Sequence, residues 1–259
     1  MELNKLIIKY RSPGQIIYYG DRTVRLFRFR RGVAEEISSS EKAGTDTLIP
    51  SEVKRDLINV PTGLILNPGH FVFNLLTFDK IPFRKKQKND LVNWRVEKLF
   101  PENIDSYIHE FIQFDKTTIL SLLVRSELVR SFDDEFQTIG PGLIYTGNST
   151  IEIINNLRNK KEKPDFFIES DGRIMLAVFF RDRLPVYIRK MRSGKGADTR
   201  EEIKRTVEFV EKNYGFRPVS CSVISADGPA DTIQGELDGM NFKVIAQESS
   251  DRMFLPGGK

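Results

Sequence analysis

Cysteine is nearly missing from this 259-residue chain, where Cys221 stands alone. No intrachain disulfide and no cysteine-rich zinc site can be built from one thiol. A reducing, cytoplasmic setting is the expectation. Histidine is almost as scarce: His70 and His109 sit in separate segments, which leaves no material for a histidine metal cluster. No stretch approaches the roughly 18 apolar residues of a membrane-spanning helix. The opening Met1-Glu2-Leu3-Asn4-Lys5 is followed only by Leu6-Ile7-Ile8, too short for the core of a signal peptide. These absences predict a chain that is neither exported nor inserted into a bilayer.

What is present is ordinary for a folded protein: 39% hydrophobic and 29% charged residues. The length suffices for one large domain or two lobes with their own cores. Charge is unevenly spread. Residues 1–88 hold 16 Lys/Arg against 9 Asp/Glu, and the remainder 24 against 27. The excess gathers at Arg22, Arg25, Arg28, Arg30 and Arg31 and in Arg84-Lys85-Lys86-Gln87-Lys88. A solvated strand face is the simplest reading of the arginines; an anionic leaflet is the sharper one. No motif that reads nucleic acid accompanies them, so no nucleic-acid partner is expected.

Pattern and turn signals divide the chain into strands and helices. Ile16–Tyr19, the turn Gly20-Asp21-Arg22 and Val24–Arg30 read as a hairpin, apolar on both faces and therefore sandwiched between layers. A polar stretch (38–44) leads to a short helix from Pro50 with Ser51 as its cap, then to strands at Gly63–Leu66 and Phe71–Leu76. A helix spans about Asn89 to Phe100, stopped by Pro101. Strands at Ile104–Phe114 and Thr118–Val124 follow, with a helix at Ser126–Ile139 and another at Thr150–Arg158 capped by Ser149 or Thr150. The charged run Lys160–Pro164 marks a boundary. Beyond it Phe166–Glu169, the turn Ser170-Asp171-Gly172 and Ile174–Phe180 form a second hairpin, continued by Val186–Arg189. A helix from Asp198 or Thr199 to Tyr214, a strand at Ser220–Ser225, a helix at Asp231–Leu237 and a strand at Phe242–Ala246 complete the chain. Each half opens strand, turn, strand and later adds helices, the outline of an internal duplication.

Other local features have bland readings. Gly194-Lys195-Gly196 lacks the spacing of a phosphate loop. Asp133-Asp134-Glu135 reads as a solvated helix face, and Glu169 with Asp171 as a polar turn without partner ligands for a cation.

Taken together, three stretches resemble PilM of type IV pilus assembly and the cytoplasmic part of GspL from type II secretion. These are Gln15–Leu26; the helix Asp90–Pro101 that in this family opens an inserted 1C-type subdomain, continued by the following strand pair and the helix from Ser126 that ends with Gly142-Leu143; and Ile174–Arg189 with Gly194 and the helix from Asp198. The resemblance spans residues 14–247 as pattern and order. It implies an α/β, actin-like (ribonuclease H-like) fold of two lobes. The implied boundaries are a first lobe over 1–82 and 139–163, an insert over 83–138 and a second lobe over 164–259.

In working members each hairpin turn offers an Asp and glycines to nucleotide phosphates and their metal. This chain departs from that pattern in three places. Tyr18 or Tyr19 stands where the first Asp is expected, with Asp21 and Arg22 after Gly20. The second turn reads Glu169-Ser170-Asp171, a carboxylate where glycine would admit phosphate. Ala226-Asp227-Gly228-Pro229 replaces the adenosine-binding glycine pair, and its Pro has no N–H. A carboxylate facing a triphosphate repels it by about 1 kcal/mol or more.

No cofactor and no catalytic or metal-ligating residue is therefore expected, with ATP and Mg²⁺ disfavoured. The function implied is a non-catalytic scaffold, cytoplasmic and peripheral to the inner membrane, bound to a membrane-anchored PilN-like or GspM/GspE-like partner. The rivals are an ATP-binding PilM-like protein and the front part of a longer GspL-like chain. The family's peptide groove maps near the helix from Asn89 and the strand Ile119–Val124. Trp94, Phe100 and Leu122 are its candidate contacts, although core packing is the simpler role for Trp94 and Phe100.

Overall fold

A computed structural model describes residues 13–30, 33–42, 47–100, 104–140, 142–158, 163–192, 198–226, 233, 235, 237, 240 and 242–249. Within them lie two five-stranded sheets and one of three strands. The first large sheet is built from β1 (Gln15–Tyr19), β2 (Thr23–Arg30), β3 (Val33–Glu41) and β4 (Thr62–Leu66). After the third sheet's strands the chain returns as β8 (Leu143–Asn148), giving the order β3-β2-β1-β4-β8. The second uses β9 (Phe166–Asp171), β10 (Ile174–Arg181), β11 (Leu184–Arg192), β12 (Ser220–Ser225) and β13 (Lys243–Ser249) in the order β11-β10-β9-β12-β13. Strand for strand the topology repeats: an antiparallel meander of three, then two strands added in parallel beside the first. The duplication legible in the sequence is a duplication of sheet order.

Burial on both faces explains the apolar runs. In β9 and β10, Phe166, Ile168, Met175, Ala177 and Phe179 face α5 (Thr199–Tyr214) through its Ile203, Val207 and Val210. The alternate residues Phe167, Leu176 and Val178 join the first lobe's core instead, alongside Ile17, Leu64 and Ile65. That core also takes Ile151, Ile153, Ile154 and Leu157 of α4 (Ser149–Arg158). The lobes thus share a continuous apolar cluster. Because side chains alternate along a strand, Glu169 and Asp171 share the side of Phe167 and point towards the first lobe.

The third sheet, β5-β7-β6, is formed by β5 (Phe71–Thr77), β6 (Tyr107–Gln113) and β7 (Thr118–Arg125). One face carries α2 (Lys85–Leu99) through Val92, Val96, Ile119 and Leu123. The other carries Leu120, Leu122 and Val124 into the first-lobe core with Val129, Phe132 and Phe136 of α3 (Ser126–Ile139).

Several expectations are corrected. Residues 38–41 of the polar stretch belong to the edge strand β3, and Leu143–Asn148 is a strand that hydropathy alone did not disclose. Phe71–Thr77, placed in the first lobe by a boundary at 82, pairs with β7 in the third sheet. Helix α2 begins four residues before Asn89. Pro50, not Ser51, occupies the cap position of α1 (Ser51–Asp56), with no side-chain cap. At α4 the cap is Asn148, whose Oδ1 accepts the Ile151 amide at 3.2 Å. Asp198 does cap α5, accepting from Glu201 N–H at 3.0 Å. Glu135 does not lie on a solvated face: it accepts the Leu48 and Ile49 amides and pairs with Lys54 Nζ at 2.6 Å.

Candidate functional site

The two lobes meet turn against turn. Gly20 N–H donates to Thr23 O at 2.9 Å and closes the turn between β1 and β2. Gly172, at φ +59°, forms the turn between β9 and β10. Each turn hands a carboxylate to the other's backbone. Asp171 Oδ2 accepts Asp21 N–H at 3.0 Å, and Asp21 Oδ2 accepts Arg173 N–H at 3.0 Å. The same Asp171 oxygen also receives Tyr18 O–H at 2.8 Å and Asn67 Nδ2–H at 2.7 Å. Asp171 is fully buried. Outside it, Arg173 Nε closes on Asp21 Oδ2 at 3.2 Å while most of the guanidinium side chain stays in water.

Both glycines permit this approach. A Cβ at Gly172 would lie 2.6 Å from Asp21 Oδ2, and one at Gly20 would lie 3.1 Å from Asp171 Oδ2. Glycine at these turns admits an opposing carboxylate. Three donors from the first lobe converge on Asp171 as they would on any bound anion.

Supporting groups close the seam. Asn67 is fixed at the end of β4 by its N–H to Tyr19 O at 3.1 Å and by the Gly69 amide donating to its Oδ1 at 2.9 Å. Lys42 Nζ donates to Gly20 O and lies 3.3 Å from the centre of the Tyr19 ring. From β11, Lys190 Nζ donates to Phe71 O at 2.9 Å and Gly69 O at 3.3 Å, a second tie between the lobes.

These environments move protonation equilibria. Burial pushes the Asp21 carboxyl up, but hydrogen bonds from Arg173 and the charges of Arg173 and Lys42 outweigh it and hold the group below the usual range. His70 is lowered to about 4, chiefly by burial and then by Lys42, so it stays neutral. Glu169 is raised to about 7 by complete burial and secondarily by Asp171, against hydrogen bonds from Ser149 and Thr150. Thr150 Oγ1 donates to its Oε2 at 2.6 Å, and among the described residues its Oε1 finds no hydrogen-bond partner.

The six turn residues singled out in the sequence therefore separate. Gly20, Asp21 and Asp171 belong to the seam. Arg22 is exposed and contributes its carbonyl to Lys42 N–H at 2.7 Å. Ser170 acts through its carbonyl, which accepts Ala226 N–H at 2.9 Å. Glu169 turns to the start of α4, and the pair spanning the cleft is Asp21 with Arg173. Sequence reasoning missed Tyr18, Asn67, Gly172 and Arg173 as members of the seam. The opposite charges following the two turn glycines, Asp21 and Arg173, were the available signal. Gly194-Lys195-Gly196 and Asp227-Gly228-Pro229 lie outside the described residues.

The groove candidates also separate. Trp94 is 48% exposed on the outer face of α2, with Lys98 Nζ 4.1 Å from its ring centre. Phe100 is half-buried against the α2 cluster. Leu122, 4% exposed, lies in the core on β7, the central strand of its sheet, whose edges are both taken by β5 and β6. A pocket of about 120 Å³ opens away from the seam, between α4 and the β10–β11 turn, lined by Ile154, Leu157, Phe180 and Arg183. It is well below the size of sites that enclose a nucleotide-sized ligand. Among the described residues no group of three or more His, Cys, Asp or Glu could hold a metal, and no helix is long and apolar enough to cross a membrane.

No family model and no curated protein sequence matches this chain. Solved structures do. The PilM–PilN type IV pilus biogenesis complex contains a chain superposing with a TM-score of 0.65 at 12% identity, over 94% of each chain. The cytoplasmic domain of EpsL, an inner-membrane component of the type II secretion system of Vibrio cholerae, gives 0.61 at 10%, over 94% of this chain and 93% of that one. A Bacteroides thetaiotaomicron protein of actin-like ATPase fold and unknown function gives 0.62 at 8%, over 96% and 98%. The fold is actin-like, as the sequence resemblance implied.

Proposed function

We propose that this chain is a non-catalytic scaffold at the cytoplasmic face of an inner-membrane assembly platform, of the type IV pilus or type II secretion kind. The observation that carries the proposal is the reciprocal exchange of Asp21 and Asp171 between the turns. In the actin-like plan those turns receive phosphate. Here the chain supplies its own anion, Asp171, and spends on it the donors of Tyr18, Asp21 and Asn67. A triphosphate would have to displace a buried carboxylate from three hydrogen bonds. No ATP or Mg²⁺ is assigned to the site, and no residue is given a catalytic role.

Binding a membrane-anchored partner needs none of that machinery. We assign the first lobe to residues 1–70 and 139–163, the insert to 71–138 and the second lobe to 164–259, moving β5 into the insert with its sheet. A partner's cytoplasmic segment would be taken on the insert, where Trp94 and Phe100 offer aromatic surface. The PilN-like class of partner is favoured by the likeness to the PilM chain of a PilM–PilN complex. The test is capture of the cytoplasmic tails of membrane proteins encoded beside this gene, using the 259-residue chain and its Trp94→Ala variant. The proposal expects one tail to be retained and the variant to retain less; recovery of none would sink it.

A further inference from the structure

The loop between β5 and α2 ends in a side chain that folding does not explain. Phe83 is 90% exposed, the most exposed of the large hydrophobic side chains described. Its neighbours are anchored: Ile81 is buried in the α2 cluster, and Ile81 N–H donates to Lys116 O at 3.2 Å. The ring is therefore held outward by a fixed backbone. Basic residues surround it in the chain. Residues 79–88 carry Lys80, Arg84, Lys85, Lys86 and Lys88 against the single acid Asp79. Lys80, Arg84, Lys85 and Lys86 are exposed, and Lys88 is tied to Gln113 at 2.6 Å. Arg84 occupies the cap position of α2 with no side-chain cap, and no acid lies in the helix's first turn. Cations at a helix N-terminus oppose the helix dipole, so this arrangement costs the helix stability rather than adding to it.

We propose that this tip docks on an anionic lipid bilayer, with Phe83 entering the interface and Lys80, Arg84, Lys85 and Lys86 meeting the headgroups. The charge is complementary to an anionic leaflet, where each basic side chain near the surface adds to binding. A single aromatic ring ringed by cations suits the boundary between headgroups and acyl chains, which takes up apolar side chains beside cationic ones. One ring and four cations give weak, reversible attachment, suited to holding a platform component close to the membrane. The inference is independent of which partner the scaffold binds.

The test is flotation of the 259-residue chain with vesicles of phosphatidylcholine alone or with about one third phosphatidylglycerol, at low and high salt. The expected result is binding to the anionic vesicles only, weakened by salt. Replacing Arg84, Lys85 and Lys86 together by Glu should lower the partition coefficient at least about 100-fold. Phe83→Ser should lower it about tenfold while leaving the fold intact, because the ring is in water. A Phe83→Trp, Trp94→Phe variant should show a blue-shifted emission on those vesicles. Equal flotation with both lipids, an unaltered Phe83→Ser variant, or an unshifted emission would each overturn the proposal. So would absence of vesicle binding together with Phe83-dependent binding to an acidic peptide or an oligonucleotide.

Discussion

The seam between the lobes and the tip of the insert treat awkward side chains in opposite ways. At the seam a carboxylate, Asp171, is buried and surrounded by donors from the other lobe. At the tip a benzyl group, Phe83, is left in water among cations. Charge inside with partners and hydrocarbon outside without them are both costly arrangements for an isolated chain. Three internal donors on Asp171 Oδ2 offset part of the seam's cost within the molecule. The exposed ring at the tip has its proposed counterpart outside, in the bilayer. On the proposed reading, the place that the actin-like plan gives to a ligand holds the chain's own Asp171, and the surface left for a partner lies on the insert.

Substitutions break this contrast by graded amounts. The largest loss is expected for Asp171→Ala, which strands the Tyr18 hydroxyl, the Asn67 amide and the Asp21 N–H together; about 3–5 kcal/mol should disappear from urea unfolding. Glu169 gives the next effect, and it depends on pH. Its pKa is about 7 when folded against an ordinary value of 4.5, so the folded state holds the proton more tightly. Stability from this group is full below about pH 4.5 and is lost as pH rises through 7. Glu169→Gln should therefore raise stability at pH 8 by up to about 3 kcal/mol and flatten the profile between pH 5 and 8. A smaller loss, about 2 kcal/mol, is expected for Gly172→Ala, whose Cβ would meet Asp21 at a backbone angle that favours glycine. Arg173→Met should do less than any of these, since its guanidinium is mostly in water. Phe83→Ser should leave the unfolding midpoint where it is.

How much of this was legible follows from which interactions are local. The hairpins were readable because Gly20-Asp21 and Asp171-Gly172 are turn signals between apolar runs, and α3 because its apolar spacing is clean. The edge strand β3 was not readable: an outer strand paired on one side tolerates the polar run Glu35–Glu41, which carries no alternation. The allegiance of β5 rests on pairing with β7, more than 40 residues away, and no local pattern encodes it. The seam is harder still. Tyr18 and Asp171 are 153 residues apart, and a tyrosine in an apolar strand looks like core until its hydroxyl's partner is placed. Trp94 shows the converse: an aromatic at helical spacing looked like core and stands half in water.

The chain's own Asp171 is proposed to occupy the anion position between the turns. Calorimetric titration of the purified protein with ATP and Mg²⁺ tests it most directly. With Asp171 in that position, no binding heat is expected at ATP concentrations up to the millimolar range, and saturable micromolar binding would show that the position is open to phosphate.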